Sequence, residues 1–292
     1  MKKLELESLL EGRLSKPRST GLTMVIDKGM GLRETRDLLE TASEYIDFLK
    51  LSFGTSLLYP AELLREKIRL IKSHGVHVYP GGTLFEIAVI RNKLQEYLFS
   101  AREMGFTALE ISNGTIPLSP ELREEAVYKA RSLGFLVLTE VGKKDRENCL
   151  STEEKIRQIE RDLASGADYI IIEGRESGKG ISIYDENGDI EYEKFHQIRK
   201  AAEGFEDILL WEAPLKKQQI FLIRELGSNV NLGNVQGEEI MALEALRRGL
   251  RSDTFALALK GGIPGLIQGK VTQETTETKA FSRESKGSIA RA

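Results

Sequence analysis

From residue 22 to residue 249 the chain repeats one pattern eight times: a short run rich in aliphatic and β-branched residues, then a longer amphipathic stretch. The apolar runs fall at 22–26, 46–51, 76–79, 108–111, 135–140, 169–173, 208–212 and 229–232. Helical patterns follow them at 32–43, 61–73, 94–104, 121–132, 151–164, 193–202, 216–226 and 238–248. Gly75, Gly105, Gly134 and Gly249 stand just past helical stretches, where the chain turns left-handed to leave a helix. Pro120 suits a first helical turn, and Ser151 with Glu154 reads as a capping box. Runs such as Tyr169-Ile170-Ile171-Ile172 are apolar without alternation, which fits parallel strands covered on both faces. Eight consecutive strand–helix units predict an α/β chain folded as a closed (β/α)8 TIM barrel over 21–260. An open doubly wound sheet is the alternative. Residues 1–20 are expected to form an N-terminal extension over the barrel bottom, and 261–292, rich in Thr, Ser, Glu and Lys, a flexible tail.

Composition narrows the function classes. Hydrophobic residues make up 40% of the 292, enough for a substantial core. A net charge of −3 argues against a strongly basic nucleic-acid binder. The single cysteine, Cys149, leaves no intrachain disulfide and no cysteine zinc site. Three histidines, His74, His77 and His196, offer little for a histidine metal centre. Glu5 and Glu7 interrupt any leader-like apolar region, and no run approaches the ~18 uncharged residues of a membrane span. A soluble cytoplasmic protein without membrane or nucleic-acid partners is expected. His77 reads as a core or near-site residue, Trp211 as packing, and Arg247, Arg248 and Arg251 as a solvated or subunit-contact face.

In a barrel of this kind the chemistry sits at the C-terminal ends of the strands. Those ends carry five acids, Asp27, Glu110, Glu140, Glu173 and Glu212. So many carboxylates at one mouth require cations, and oxygen ligands favour magnesium over zinc. Lys28, Lys50, Lys143, Lys144, Arg175 and Lys179 supply positive charge nearby, which suits a small, multiply anionic ligand. The glycine-rich loop from Gly174 to Gly180, with Arg175, Ser177, Gly178 and Lys179, is suited to an oxyanion, although it lacks the Walker spacing. Gly233-Asn234, leading into the last helix, is expected at the phosphate position common in barrels.

Several stretches together resemble the phosphosulfolactate synthase family. They are Asp27-Lys28-Gly29, Tyr45 to Lys50, Phe53 to Ser56, Val78 to Glu86, Leu138 to Lys144, Gly166 to Gly180, Glu212-Ala213-Pro214 and Leu246 to Arg251. One departure is Asn113, where the family pattern has an aspartate after Glu-Ile-Ser. The resemblance implies a (β/α)8 homo-oligomer that adds sulfite to C3 of phosphoenolpyruvate with Mg2+, giving (2R)-phospho-3-sulfolactate. In that chemistry Glu110, Glu140 and Glu173 are expected to hold the metal, with Asp27 and Glu212 as additions. Lys143 and Arg175 would hold sulfite or carboxylate, and Lys50 or Lys28 would protonate C2. Ser177, Gly178, Lys179, Gly233 and Asn234 would hold phosphate. Two other readings stay open: an aldolase-like barrel using a Schiff-base lysine, and a non-catalytic stress-associated homologue.

Overall fold

The computed structural model describes residues 12–143 and 150–255. Strand and helix alternate as the sequence predicts. β1 is Thr23–Asp27, α1 Leu32–Ala42, β2 Phe48–Leu51, α2 Ala61–Ser73 and β3 His77–Pro80. Next come α3 Gly82–Ile90, α4 Leu94–Met104, β4 Ala108–Ile111, α5 Pro120–Ser132 and β5 Leu136–Val141. The chain continues through α6 Thr152–Ala164, β6 Tyr169–Ile172, α7 Tyr192–Ala201, β7 Leu209–Glu212, α8 Lys216–Leu226, β8 Asn231–Val235 and α9 Ile240–Arg247.

The eight strands run in the order β3-β2-β1-β8-β7-β6-β5-β4, and the paired neighbours are parallel. The β1–β8 pairing brings first and last strands together and bends the sheet into a nearly closed barrel. At the remaining seam, β3 to β4, no ladder forms among the described residues. Single bonds span it: Thr107 N–H donates to Val78 O at 3.1 Å, Val78 N–H to Thr107 Oγ1 at 2.9 Å, and Gly82 N–H to the Glu110 carboxylate at 2.8 Å.

Two differences from expectation have physical causes. α3 carries no helical periodicity, because it opens on Gly81-Gly82 and is then apolar almost throughout (Gly82-Thr-Leu-Phe-Glu-Ile-Ala-Val-Ile90). β8 spans Asn231–Val235 rather than 229–232, and its later end puts Gly233 and Asn234 inside the strand and not in a loop before the last helix. A Cβ at 233 would stand 2.4 Å from Leu210 Cδ2 and 2.7 Å from Met24 Cε, so both side chains would have to shift.

The described N-terminal residues are tied to the barrel by ion pairs. Arg13 pairs with Glu244 at 3.0 Å, and Arg18 with Asp47 at 2.7 Å. Arg247 is no surface charge. It is fully buried, donates to Ser228 O at 2.6 Å and Val230 O at 2.7 Å, and burial pulls its pKa down to about 9. His77 is exposed at the start of β3, against Phe48, while Trp211 packs on Phe195. Lys144, Cys149 and the expected tail at 261–292 lie outside the described residues. Among the described helices none is long and apolar enough to cross a membrane.

Candidate active site

Successive residues of a strand point to opposite faces, so positions two apart share the barrel interior. One interior layer is Met24, Phe48, Tyr79, Ala108, Leu138, Ile171 and Leu210. Two residues further along five of these strands stand Lys50, Glu110, Glu140, Glu173 and Glu212, all buried. They floor a cavity of about 390 Å³ that opens at the C-terminal ends of the strands, with Ser52, Thr83, Arg175, Ser177 and Asn234 also facing it.

Lys50 stands at the centre of three carboxylates. Its Nζ lies 2.8 Å from Glu110 Oε2, 3.2 Å from Glu212 Oε1 and 3.8 Å from Glu140 Oε2. Burial alone would depress this lysine, but the carboxylates of Glu110 and Glu212 prevail and hold its pKa well above the usual value. Burial, with Glu140 and Glu212 nearby, pushes Glu110 up to about 7 against the pull of Lys50. Beside this nest, Glu140, Glu173 and Glu212 each offer a carboxylate oxygen, and the three atoms lie within 4.8 Å of one another.

The loops fix these groups. Gly174 N–H donates to Glu212 Oε2 at 2.9 Å and Arg175 N–H to Glu173 Oε1 at 2.8 Å, so the β6 loop aims both carboxylates. Asn234 Nδ2 donates to Arg175 O at 3.2 Å, and its buried Oδ1 has no hydrogen-bond partner among the described residues. Five carboxylates (Glu110, Glu140, Glu173, Glu176, Glu212) line the cavity against two cations, Lys50 and Arg175. An anionic ligand entering here therefore needs further positive charge. A divalent ion held by oxygen ligands would meet that need, and the convergence of Glu140, Glu173 and Glu212 fits one.

The model of the (2R)-phospho-3-sulfolactate synthase (ComA) family matches residues 11–253. The chain belongs to the phosphosulfolactate synthase family. It is 46% identical over 245 residues to the phosphosulfolactate synthase of Methanothermobacter thermautotrophicus, covering 83% of this chain and 94% of that one. The Bacillus subtilis phosphosulfolactate synthase is 42% identical over 248 residues, 84% of this chain and 96% of its own. More distant is protein HEAT-STRESS-ASSOCIATED 32 of Arabidopsis thaliana, 24% identical over 267 residues, 81% and 89% of the two chains. Among solved structures, a putative fructose-1,6-biphosphate aldolase from Coccidioides immitis superposes with a TM-score of 0.55 at 13% identity, covering 83% and 94%. The 3-hexulose-6-phosphate synthase of Salmonella typhimurium gives 0.51 at 11% identity, covering 82% and 99%. Those two likenesses establish the barrel fold and nothing about the reaction. The family is one of enzymes.

The other expected site residues of this phosphosulfolactate synthase family member are placed as follows. Asp27 points away from the cavity: its carboxylate binds Lys67 Nζ of α2 at 2.5 Å and caps Gly29 and Met30 N–H, both at 2.8 Å. Lys28 forms an exposed pair with Glu176 at 2.6 Å, above the cavity rather than in its wall. Lys143 turns to the carbonyls of Asn113 and Ile116 and is held below its usual pKa by burial. Ser177 lines the mouth, whereas Gly178 is buried under Gln218 and Lys179 is exposed to solvent. Gly233 lies beneath the floor, so Asn234 alone of that pair reaches the cavity.

Two further residues escaped sequence reasoning. Glu86 of α3 is buried and accepts from Ser112 Oγ at 2.7 Å and Thr115 N–H at 3.1 Å, ordering the β4 loop on which Lys143 rests. Lys67 is fully buried under the β1 loop. The stretch containing Glu86 was legible only through its family resemblance, and Lys67 sits in an ordinary amphipathic helix with nothing to mark it.

Proposed function

We propose that this protein adds sulfite to C3 of phosphoenolpyruvate, with Mg2+ bound, giving (2R)-phospho-3-sulfolactate. The observation that carries the reading is the pairing, in one cavity, of three converging carboxylates with a buried ammonium 2.8 Å from Glu110. The sulfite sulfur lone pair forms the C–S bond at C3, and the C2–C3 π electrons pass to C2 and the adjacent carboxylate. A proton delivered to C2 completes the addition, while the phosphate ester is untouched. When bound, Mg2+ held by Glu140, Glu173 and Glu212 would supply positive charge for the enolate.

Lys50 is our choice of proton donor, since it faces the cavity and Lys28 does not. Arg175, Ser177 and Asn234 line the same wall and suit the anionic ends of the substrate. We assign sulfite to Lys143, whose ammonium bonds the Asn113 and Ile116 carbonyls on the β4 loop. The raised pKa of Lys50 keeps it an ammonium, which speaks against the Schiff-base alternative. The setting we propose is a cytoplasmic homo-oligomer acting on small anions, in keeping with its family resemblance and a net charge of −3.

Phosphorus NMR of the purified protein with phosphoenolpyruvate, sulfite and Mg2+ tests the reading. A new phosphate-ester resonance that requires sulfite and disappears with EDTA is expected. Unchanged phosphoenolpyruvate in the presence of folded protein would refute it.

A further inference from the structure

Tyr79 is the polar member of an otherwise apolar layer. It shares the barrel interior with Met24, Phe48, Ala108, Leu138, Ile171 and Leu210, and it is fully buried. The β2–β3 register pairs it with Lys50, so the phenol and the lysine stand side by side on the inner wall. Its ring packs edge-on against Phe48 at 6.2 Å, and the charges of Glu110, Lys50, Glu212 and Glu140 all act on its phenol. That hydroxyl has no hydrogen-bond partner among the described residues. A buried tyrosine hydroxyl ordinarily has a partner, and leaving one without costs stability. The feature thus needs an explanation other than folding.

The neighbouring groups supply one. Glu110 Oε2 is bound by the Lys50 ammonium at 2.8 Å, while Glu110 Oε1 accepts from Gly82 N–H at 2.8 Å. If Lys50 turns to an anionic substrate, Oε2 loses its cation in a buried place. Tyr79 lies beside Lys50 and within the field of Glu110, and burial followed by Glu110 raises its pKa well above the usual value. It therefore stays a neutral O–H donor across the working range.

We propose that Tyr79 is a positioning residue: its hydroxyl takes over Glu110 as the Lys50 ammonium moves to the reacting substrate. The role rests on the sulfite-addition reading of the cavity and assigns the phenol no bond to substrate. The hydroxyl bonds none of the described residues here, and in the reacting enzyme it replaces an ion pair by a hydrogen bond.

Tyr79→Phe removes one oxygen and keeps the ring. Steady-state kinetics and thermal melting of the wild type and Tyr79→Phe are compared, with phosphoenolpyruvate and sulfite varied in turn. The expected result is a kcat at least tenfold lower, KM for phosphoenolpyruvate within about threefold, and a melting temperature equal to or above the wild type. An unchanged kcat overturns the proposal. So does a variant that melts several degrees lower, because the hydroxyl would then be bonded for structure. A wild type that turns over beside an unaffected variant removes only the role of Tyr79, whereas a wild type without sulfite addition overturns the reading of the site and this role with it.

Discussion

Replacing Lys50 by methionine keeps the length of the side chain and deletes its charge. In the wild type that charge lies 2.8, 3.2 and 3.8 Å from three buried carboxylates. With an effective dielectric of about 20, one such contact is roughly 5 kcal/mol of gross attraction, most of it offset by the cost of taking the ions out of water. The net cost of removing one partner from a buried ion pair is about 3–5 kcal/mol. For a chain of this size that corresponds to a fall of roughly 10 °C in melting temperature. The pH dependence has a definite sign. Glu110 titrates at about 7 in the folded protein, above the ordinary 4.5, so between those values the folded state holds more protons than the unfolded state. Its contribution to stability is therefore full below pH 4.5 and is lost as pH rises through 7. Without Lys50 the upward shift grows, and the deficit of Lys50→Met should be large at pH 8 and small at pH 5. Circular-dichroism melts of both proteins across that range measure it. A variant melting within about 2 °C of wild type at pH 8, or a deficit that does not shrink toward pH 5, would refute the charge nest as the dominant force at this floor.

Two other substitutions probe the wall and the layer beneath it. Lys143→Ala should lower kcat at least ~100-fold while melting within a few degrees of wild type, because among the described residues the ammonium hydrogen-bonds two loop carbonyls and no buried acid; full activity would remove Lys143 from the mechanism. Gly233→Ala should cost about 1–3 kcal/mol through overpacking against Leu210 and Met24, seen as a lower urea midpoint with an unchanged slope.

The barrel was legible because its strands are apolar runs and its helices end on glycine, two signals local to the chain. α3 was not, since its solvent side carries Ile87 and Ile90 and so offers no polar face to set a period. The inner ring of the site was legible for a similar reason: Lys50, Glu110, Glu140, Glu173 and Glu212 are isolated charges at the ends of apolar strands. Which face a strand-end charge takes was harder. Met24 and Ile26 point inward on β1, so Asp27 must point outward, where Lys67 of α2 meets it. Alternation alone contains that answer, but only once the inward positions are known. Gly233 and Asn234 read as loop residues by type, and their place inside β8 depends on contacts with Met24, Leu210 and Arg175 that no local pattern records.

The seam between β3 and β4 ties chemistry to architecture. A ring joined by a full ladder would be indifferent to what happens in its mouth. Here one stitch across the gap is the bond from Gly82 N–H to Glu110, and the other oxygen of that carboxylate faces the lysine that we propose delivers a proton. The strand gap and the charge nest thus share one side chain, with one Glu110 oxygen bound on each side.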